Sequence, residues 1–152
     1  MANKMTFLSL LLFFAYGTLM AQADRVLGYW LTEDGDSQVE IFKSSGGQYY
    51  GRVVWLEEPL NDAGRPKVDD QNPDRARHNT PIIGLEILKG YSYNSSREEW
   101  SGGTIYDPKN GRTYTAYMRL EDHQTLRIRG YVMGMRFMGR TTHWVRESVR
   151  RE

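Results

Sequence analysis

From Val26 onward, apolar side chains recur at every second position, and no segment sustains the three-to-four spacing of an amphipathic helix. The alternation predicts eight strands: Val26–Thr32, Ser37–Lys43, Gln48–Trp55, Ile82–Tyr93, Glu98–Tyr106, Arg112–Leu120, Thr125–Val132 and Arg136–Arg146. Val39 and Ile41 lie on one face of their run, with Gln38 and Glu40 on the other. Trp100, Gly102, Thr104 and Tyr106 share a face, as do Tyr114, Ala116, Met118 and Leu120. Turn chemistry separates the runs. In Asp107-Pro108-Lys109-Asn110-Gly111, Asp opens a turn, Pro presets φ, and Gly accepts the left-handed conformation that completes a hairpin. Glu147–Glu152 reads as a polar, frayed tail.

Eight strands with mostly short connections predict an all-β fold, an eight-stranded antiparallel up-and-down barrel with one long loop between strands three and four. Barrels of this size are either filled by side chains or hold one small ligand. Alternate connections then share a rim: the first, third, fifth and seventh at one end, the others at the opposite end.

Residues 1–23 stand apart from this pattern. Lys4, the apolar run Phe7–Phe14 and Ala21-Gln22-Ala23 match a secretory leader cut before Asp24, leaving one barrel domain over residues 24–146 and the tail. With no Cys anywhere, neither a lipid-anchored Cys nor a disulfide can form, which fits a periplasmic or secreted protein. After the leader no integral membrane segment remains. The net charge is +1, and Lys4 is the leader's one charge, so the remainder is balanced. That argues against bulk attraction to nucleic acid.

Candidate chemistry is sparse. His78 falls in the third connection, His123 in the sixth and His143 within the last strand, so the barrel holds them apart and a three-His zinc site is not expected. Asp70-Gln71-Asn72-Pro73-Asp74 opens like a calcium loop, but Arg75 and Pro81 stand where Gly and Glu are needed. No metal or cofactor is expected. No Ser occupies a strand-to-helix elbow, and Glu57-Glu58 and Asp69-Asp70 are adjacent acids of the kind usually exposed. The connection Leu56–Thr80 far exceeds a hairpin turn; Asp69, Asp70, Asn72, Arg75 and His78 are its candidate lid residues. Trp55, Trp100, Tyr106, Tyr114, Met118 and Phe137 are candidates for a ligand-lining interior, with Trp55, Tyr106 and Phe137 at the rim nearest the long loop.

The ends of the barrel carry a further pattern. Gly28 allows close approach, Trp30 shares its face, and an Arg of the last strand is suited to stack on the ring; the register puts Arg140 nearest, with Arg146 the alternative. Together with Gly51-Arg52-Val53-Val54-Trp55, Pro81-Ile82-Ile83-Gly84-Leu85, Trp100-Ser101-Gly102-Gly103, Ile105-Tyr106-Asp107-Pro108, Arg129-Gly130-Tyr131 and Gly139-Arg140-Thr141, these residues resemble the bacterial family catalogued as domain of unknown function 2147. The resemblance implies an exported, lipocalin-like, calycin-type barrel with no established activity, and it makes Gly28, Trp30 and the Arg a structural seal. It also marks Ser44, Ser45 and Tyr50 as standing where many members carry paired Cys. Three functions are therefore weighed: a barrel binding a small apolar molecule under the Leu56–Thr80 loop; an envelope interaction protein with a filled barrel; and an enzyme using loop carboxylates and His78.

Overall fold

The computed structural model describes residues 21–152, so most of the expected leader lies outside the described residues. A 3-10 turn at Asp24–Val26 leads into β1 (Gly28–Leu31), followed by β2 (Ser37–Lys43) and β3 (Tyr49–Leu56). After the long connection, which contains a 3-10 turn at Arg75–Arg77, come β4 (Glu86–Asn94), β5 (Glu99–Asp107), β6 (Arg112–Leu120), β7 (Thr125–Val132) and β8 (Met135–Glu147). Each strand pairs with the next, and β1 pairs antiparallel with β8, closing the barrel. Closure removes the exposed sheet edges that would otherwise recruit other chains.

Two boundaries depart from the alternation by more than one residue. Val26 belongs to the opening turn rather than to β1, and β4 begins at Glu86 because Ile82–Leu85 forms a turn of its own. There Leu85 N–H donates to the Ile82 carbonyl at 3.0 Å and Gly84 takes φ +95°. A third departure concerns which way β5 faces. Gly102 adopts φ +79°, and the register steps from Trp100↔Met118 to Gly103↔Ala116 across a bulge. A bulge moves every later side chain to the opposite face. Gly103 and Ile105, not Thr104 and Tyr106, therefore continue the inward face that Trp100 begins.

The end carrying the β2–β3, β4–β5 and β6–β7 turns is closed and solid. Trp30, Leu88, Tyr91, Met118, Leu126 and Ile128 have no exposed surface, and the opening turn plugs the end through Ala23 and Val26. The two indoles there are satisfied by that plug: Trp30 Nε1–H donates to the Val26 carbonyl and Trp100 Nε1–H to the Ala23 carbonyl, both at 2.9 Å.

Arg146 seals this end. The pairing Trp30↔Arg146 places its guanidinium 4.2 Å from the indole centroid. It donates to the carbonyls of Leu27 and His123 at 2.9 Å, and to that of Arg25. A desolvated stack of this kind contributes about 2 kcal/mol. Gly28 sits beneath it at φ +118°, where a Cβ would lie 3.5 Å from Arg146 Nη1. The expectation that Arg140 lies nearest Trp30 is thus corrected. β8 runs on to Glu147, and Arg140 pairs with Gly130, six residues or roughly 20 Å farther along the strand.

The C-terminal residues are not frayed. Gln38, fully buried, donates from Nε2 to Glu147 at 2.6 Å and to the Val149 carbonyl at 2.9 Å, and its Oε1 accepts from Arg151 N–H. Arg151 stacks on Trp55 at 4.8 Å, and Trp55 Nε1–H donates to the Glu152 carbonyl. No helix among the described residues is long and apolar enough to cross a membrane.

Candidate functional site

Toward the other end the barrel is hollow. Above the buried floor of Ile128 and Trp144 opens a cavity of about 640 Å³, walled by Ile87, Ile105, Tyr114 and Met138. Its size follows from sequence. On β8 the inward positions above Trp144 are Thr142 and Arg140, and they face Ile128 and Gly130 of β7. Of these, Thr142 and Gly130 are small and leave space that a larger side chain would fill in the upper half. A side chain at Gly130 would meet the Tyr114 Cβ at 3.4 Å and Ile105 Cγ2 at 3.6 Å, which fixes this face as the interior. The volume lies within the roughly 300–1,000 Å³ typical of small-molecule pockets.

The mouth is ringed with charge. The β1–β2 turn supplies Glu33, Asp34 and Asp36, and the β5–β6 turn supplies Asp107 and Lys109. Lys109 Nζ lies 2.7 Å from Asp36 and 3.3 Å from Asp34, so it ties two turns on opposite sides of the barrel across the opening. Burial works against the Asp36 charge, but hydrogen bonds from Lys109, Ser37 and Thr32 prevail and hold its carboxyl below the usual 3.8. The hydrogen bond to Asp36 raises the Lys109 ammonium in turn. Asp107 is occupied by its own turn, accepting from Lys109 N–H at 2.9 Å and Asn110 Nδ2 at 2.8 Å. Glu33 faces His143 Nδ1 at 3.4 Å.

The β7–β8 tip borders the cavity through Val132 and Met138, while its Arg136 reaches across the outside of the barrel. Arg129 donates to the carbonyls of Arg136 and Phe137 at 2.6 and 2.9 Å. Arg136 stacks on Tyr117 at 4.3 Å and reaches Glu99 of β5 at 2.7 Å.

These placements redistribute the residues singled out from the sequence. Tyr114 and Tyr106 border the cavity. Trp100 and Met118 belong to the filled half, buried beneath it. Trp55 lies on the outer side under the C-terminal tail, and Phe137 is 77% exposed on the β7–β8 tip. The long connection is not a lid. It closes on itself through bridges Leu60↔Pro66 and Val68↔Pro81, and none of its described residues lines the cavity.

Its candidate residues serve the loop itself. Asp69 is fully buried, accepting from the Tyr106 hydroxyl at 2.6 Å and from Asn72 Nδ2 at 2.7 Å. Burial, then that bond to Asp69, pushes the Tyr106 hydroxyl up to about 12. His78 Nε2 lies 2.7 Å from the Asn72 carbonyl, whereas Asp70 and Arg75 are exposed. The loop docks beside the β5–β6 turn at Gly111, where φ is +70° and a Cβ would lie 1.9 Å from the Gln71 carbonyl oxygen. Among the described residues no three metal-ligating side chains cluster.

Ile105, Trp144 and Thr142 are cavity residues that the alternation left unmarked. For Thr142 and Trp144 a signal existed, since both share a face with Arg140 on one strand. For Ile105 the bulge at Gly102 hid it.

Among solved structures, the chain is similar to one titled "Protein HP1028 from the human pathogen Helicobacter pylori belongs to the lipocalin family". The two share 22% identity with a TM-score of 0.68, over 81% of this chain and 83% of that one. At that identity the likeness establishes a shared fold, a lipocalin-like barrel. No curated protein matches the sequence. A family model described as "Uncharacterized protein conserved in bacteria (DUF2147)" matches residues 28–146, which run from the Gly of the seal to its Arg. The chain belongs to the DUF2147 family.

Proposed function

We propose that this protein is an exported carrier that holds one small, largely apolar molecule in the open half of its barrel. The observation that carries the reading is the cavity of about 640 Å³, with Ile105, Tyr114, Ile128, Thr142 and Trp144 around it and the acidic groups and Lys109 gathered at the mouth. Apolar walls with a few polar groups at one side are what a ligand pocket needs, because burial supplies affinity and the polar groups fix orientation. An interior of this size favours a carrier over a filled barrel acting only through its surface. The loop carboxylate Asp69 and His78, which an enzyme would need free, are engaged in the loop's own hydrogen bonds and lie outside the cavity. Export rests on the leader-like sequence of Lys4, Phe7–Phe14 and Ala21-Gln22-Ala23, and a periplasmic or secreted location follows from it.

Native mass spectrometry of protein isolated from its own host tests the reading. The wild-type chain is expected to carry a bound small molecule, and Thr142→Phe, which fills the cavity from β8, is expected to be empty while its circular dichroism is unchanged. Wild-type protein that is empty from its host, and that also fails to bind an uncharged apolar fluorophore such as N-phenyl-1-naphthylamine, would overturn it.

A further inference from the structure

Arg140 is the residue that the filled-end seal does not use. It lies on the inward face of β8, opposite Gly130 and directly above Thr142 and Trp144, and it borders the cavity. The other charged side chains around the mouth have partners. Lys109 holds Asp34 and Asp36, the β5–β6 turn holds Asp107, and His143 faces Glu33. Among the described residues the Arg140 side chain has no hydrogen-bond or ion-pair partner.

We propose, building on the carrier reading, that Arg140 receives the carboxylate of a single-chain amphiphile whose hydrocarbon tail lies against Ile105, Ile128 and Trp144. A cation set beside apolar walls, with its five N–H donors free, favours an anion that can take two of them in parallel. A carboxylate is planar and matches that fork, and a hydrocarbon chain suits the walls below it. Among the described residues none of the mouth carboxylates is within ion-pair reach of the Arg140 guanidinium, which leaves the fork open. An uncharged amphiphile of equal length would bury the same tail and forgo the charged bond. A cationic one would meet Arg140 head-on.

Displacement of N-phenyl-1-naphthylamine by decanoate, 1-decanol, decyl phosphate and decyltrimethylammonium separates these cases. For the wild-type protein decanoate is expected to compete at least about tenfold better than 1-decanol, the difference one charge-assisted hydrogen bond provides. Arg140→Gln should abolish that preference while leaving 1-decanol and the fluorophore unchanged, and Arg140→Lys should retain part of it. Equal competition by decanoate and 1-decanol with the fluorophore bound would overturn the assignment of Arg140 and leave the carrier reading standing. Stronger competition by decyl phosphate or by decyltrimethylammonium would overturn the choice of headgroup. Failure of the fluorophore and every competitor to bind would overturn both readings.

Discussion

Glu99 shows how one side chain organises its surroundings. It is fully buried, with Arg136 at 2.7 Å, Arg119 at 3.4 Å and Arg97 at 3.8 Å. Burial alone would raise its carboxyl, but the hydrogen bonds and charge of Arg136, with Arg119 and Arg97 behind it, hold it below the ordinary 4.5. Because the folded value is the lower one, the stabilisation is complete above the unfolded value and is lost as pH falls through the folded one. Glu99→Gln is therefore expected to cost roughly 1–3 kcal/mol at pH 7. The gap from wild type should narrow in urea titrations run below pH 4.5, the ordinary value for this carboxyl; a gap independent of pH would refute this account. Nothing in the spacing of β5 announces the role, since Arg136 reaches across two strands from the β7–β8 hairpin. A contact of that kind is set by tertiary geometry and leaves no periodic trace.

At the scale of elements, alternation reports which face a residue takes and not what lies beyond that face. Trp55 illustrates the limit: its strand was legible, yet its ring is covered by Arg151 and by a tail whose charges suggested fraying. The tail is held because Gln38 cannot be left buried without partners. Truncation after Glu147 removes two of its three hydrogen bonds, those to the Val149 carbonyl and from Arg151 N–H. The expected loss is roughly 2–4 kcal/mol, read as a lower Tm, together with a red shift in tryptophan emission as Trp55 meets water. An unchanged Tm would show that the tail only rests on β3. The long connection was legible as an unusual element and misleading as a lid, because length alone does not say which way a loop folds. The Tyr106–Asp69 bond and the backbone contact at Gly111 turn it outward.

For the whole molecule, strand number, order and closure could be read from the chain, because a two-residue period interrupted by turn residues admits few other arrangements. That the lower half is solid and the upper half hollow could not be read that way, since both halves alternate alike. The difference lies in bulk: Trp30, Trp100 and Trp144 crowd one end, whereas Gly130 and Thr142 stand toward the other. The Lys109 tie bears on how such a hollow works. Lys109 and Asp34 are largely exposed, so the tie adds little to folding stability, but among the described residues it spans the cavity mouth, through which the guest of the proposed carrier would pass. Lys109→Met should therefore leave Kd within about twofold while stopped-flow traces show faster uptake and faster release, and added salt should quicken the wild type alone. If release alone quickens, so that Kd rises with uptake unchanged, the tie is a ligand contact instead. On this view the barrel's grip resides in its walls and its timing in a single ammonium group, so the dwell time of a guest can change with the ionic strength outside while its affinity does not.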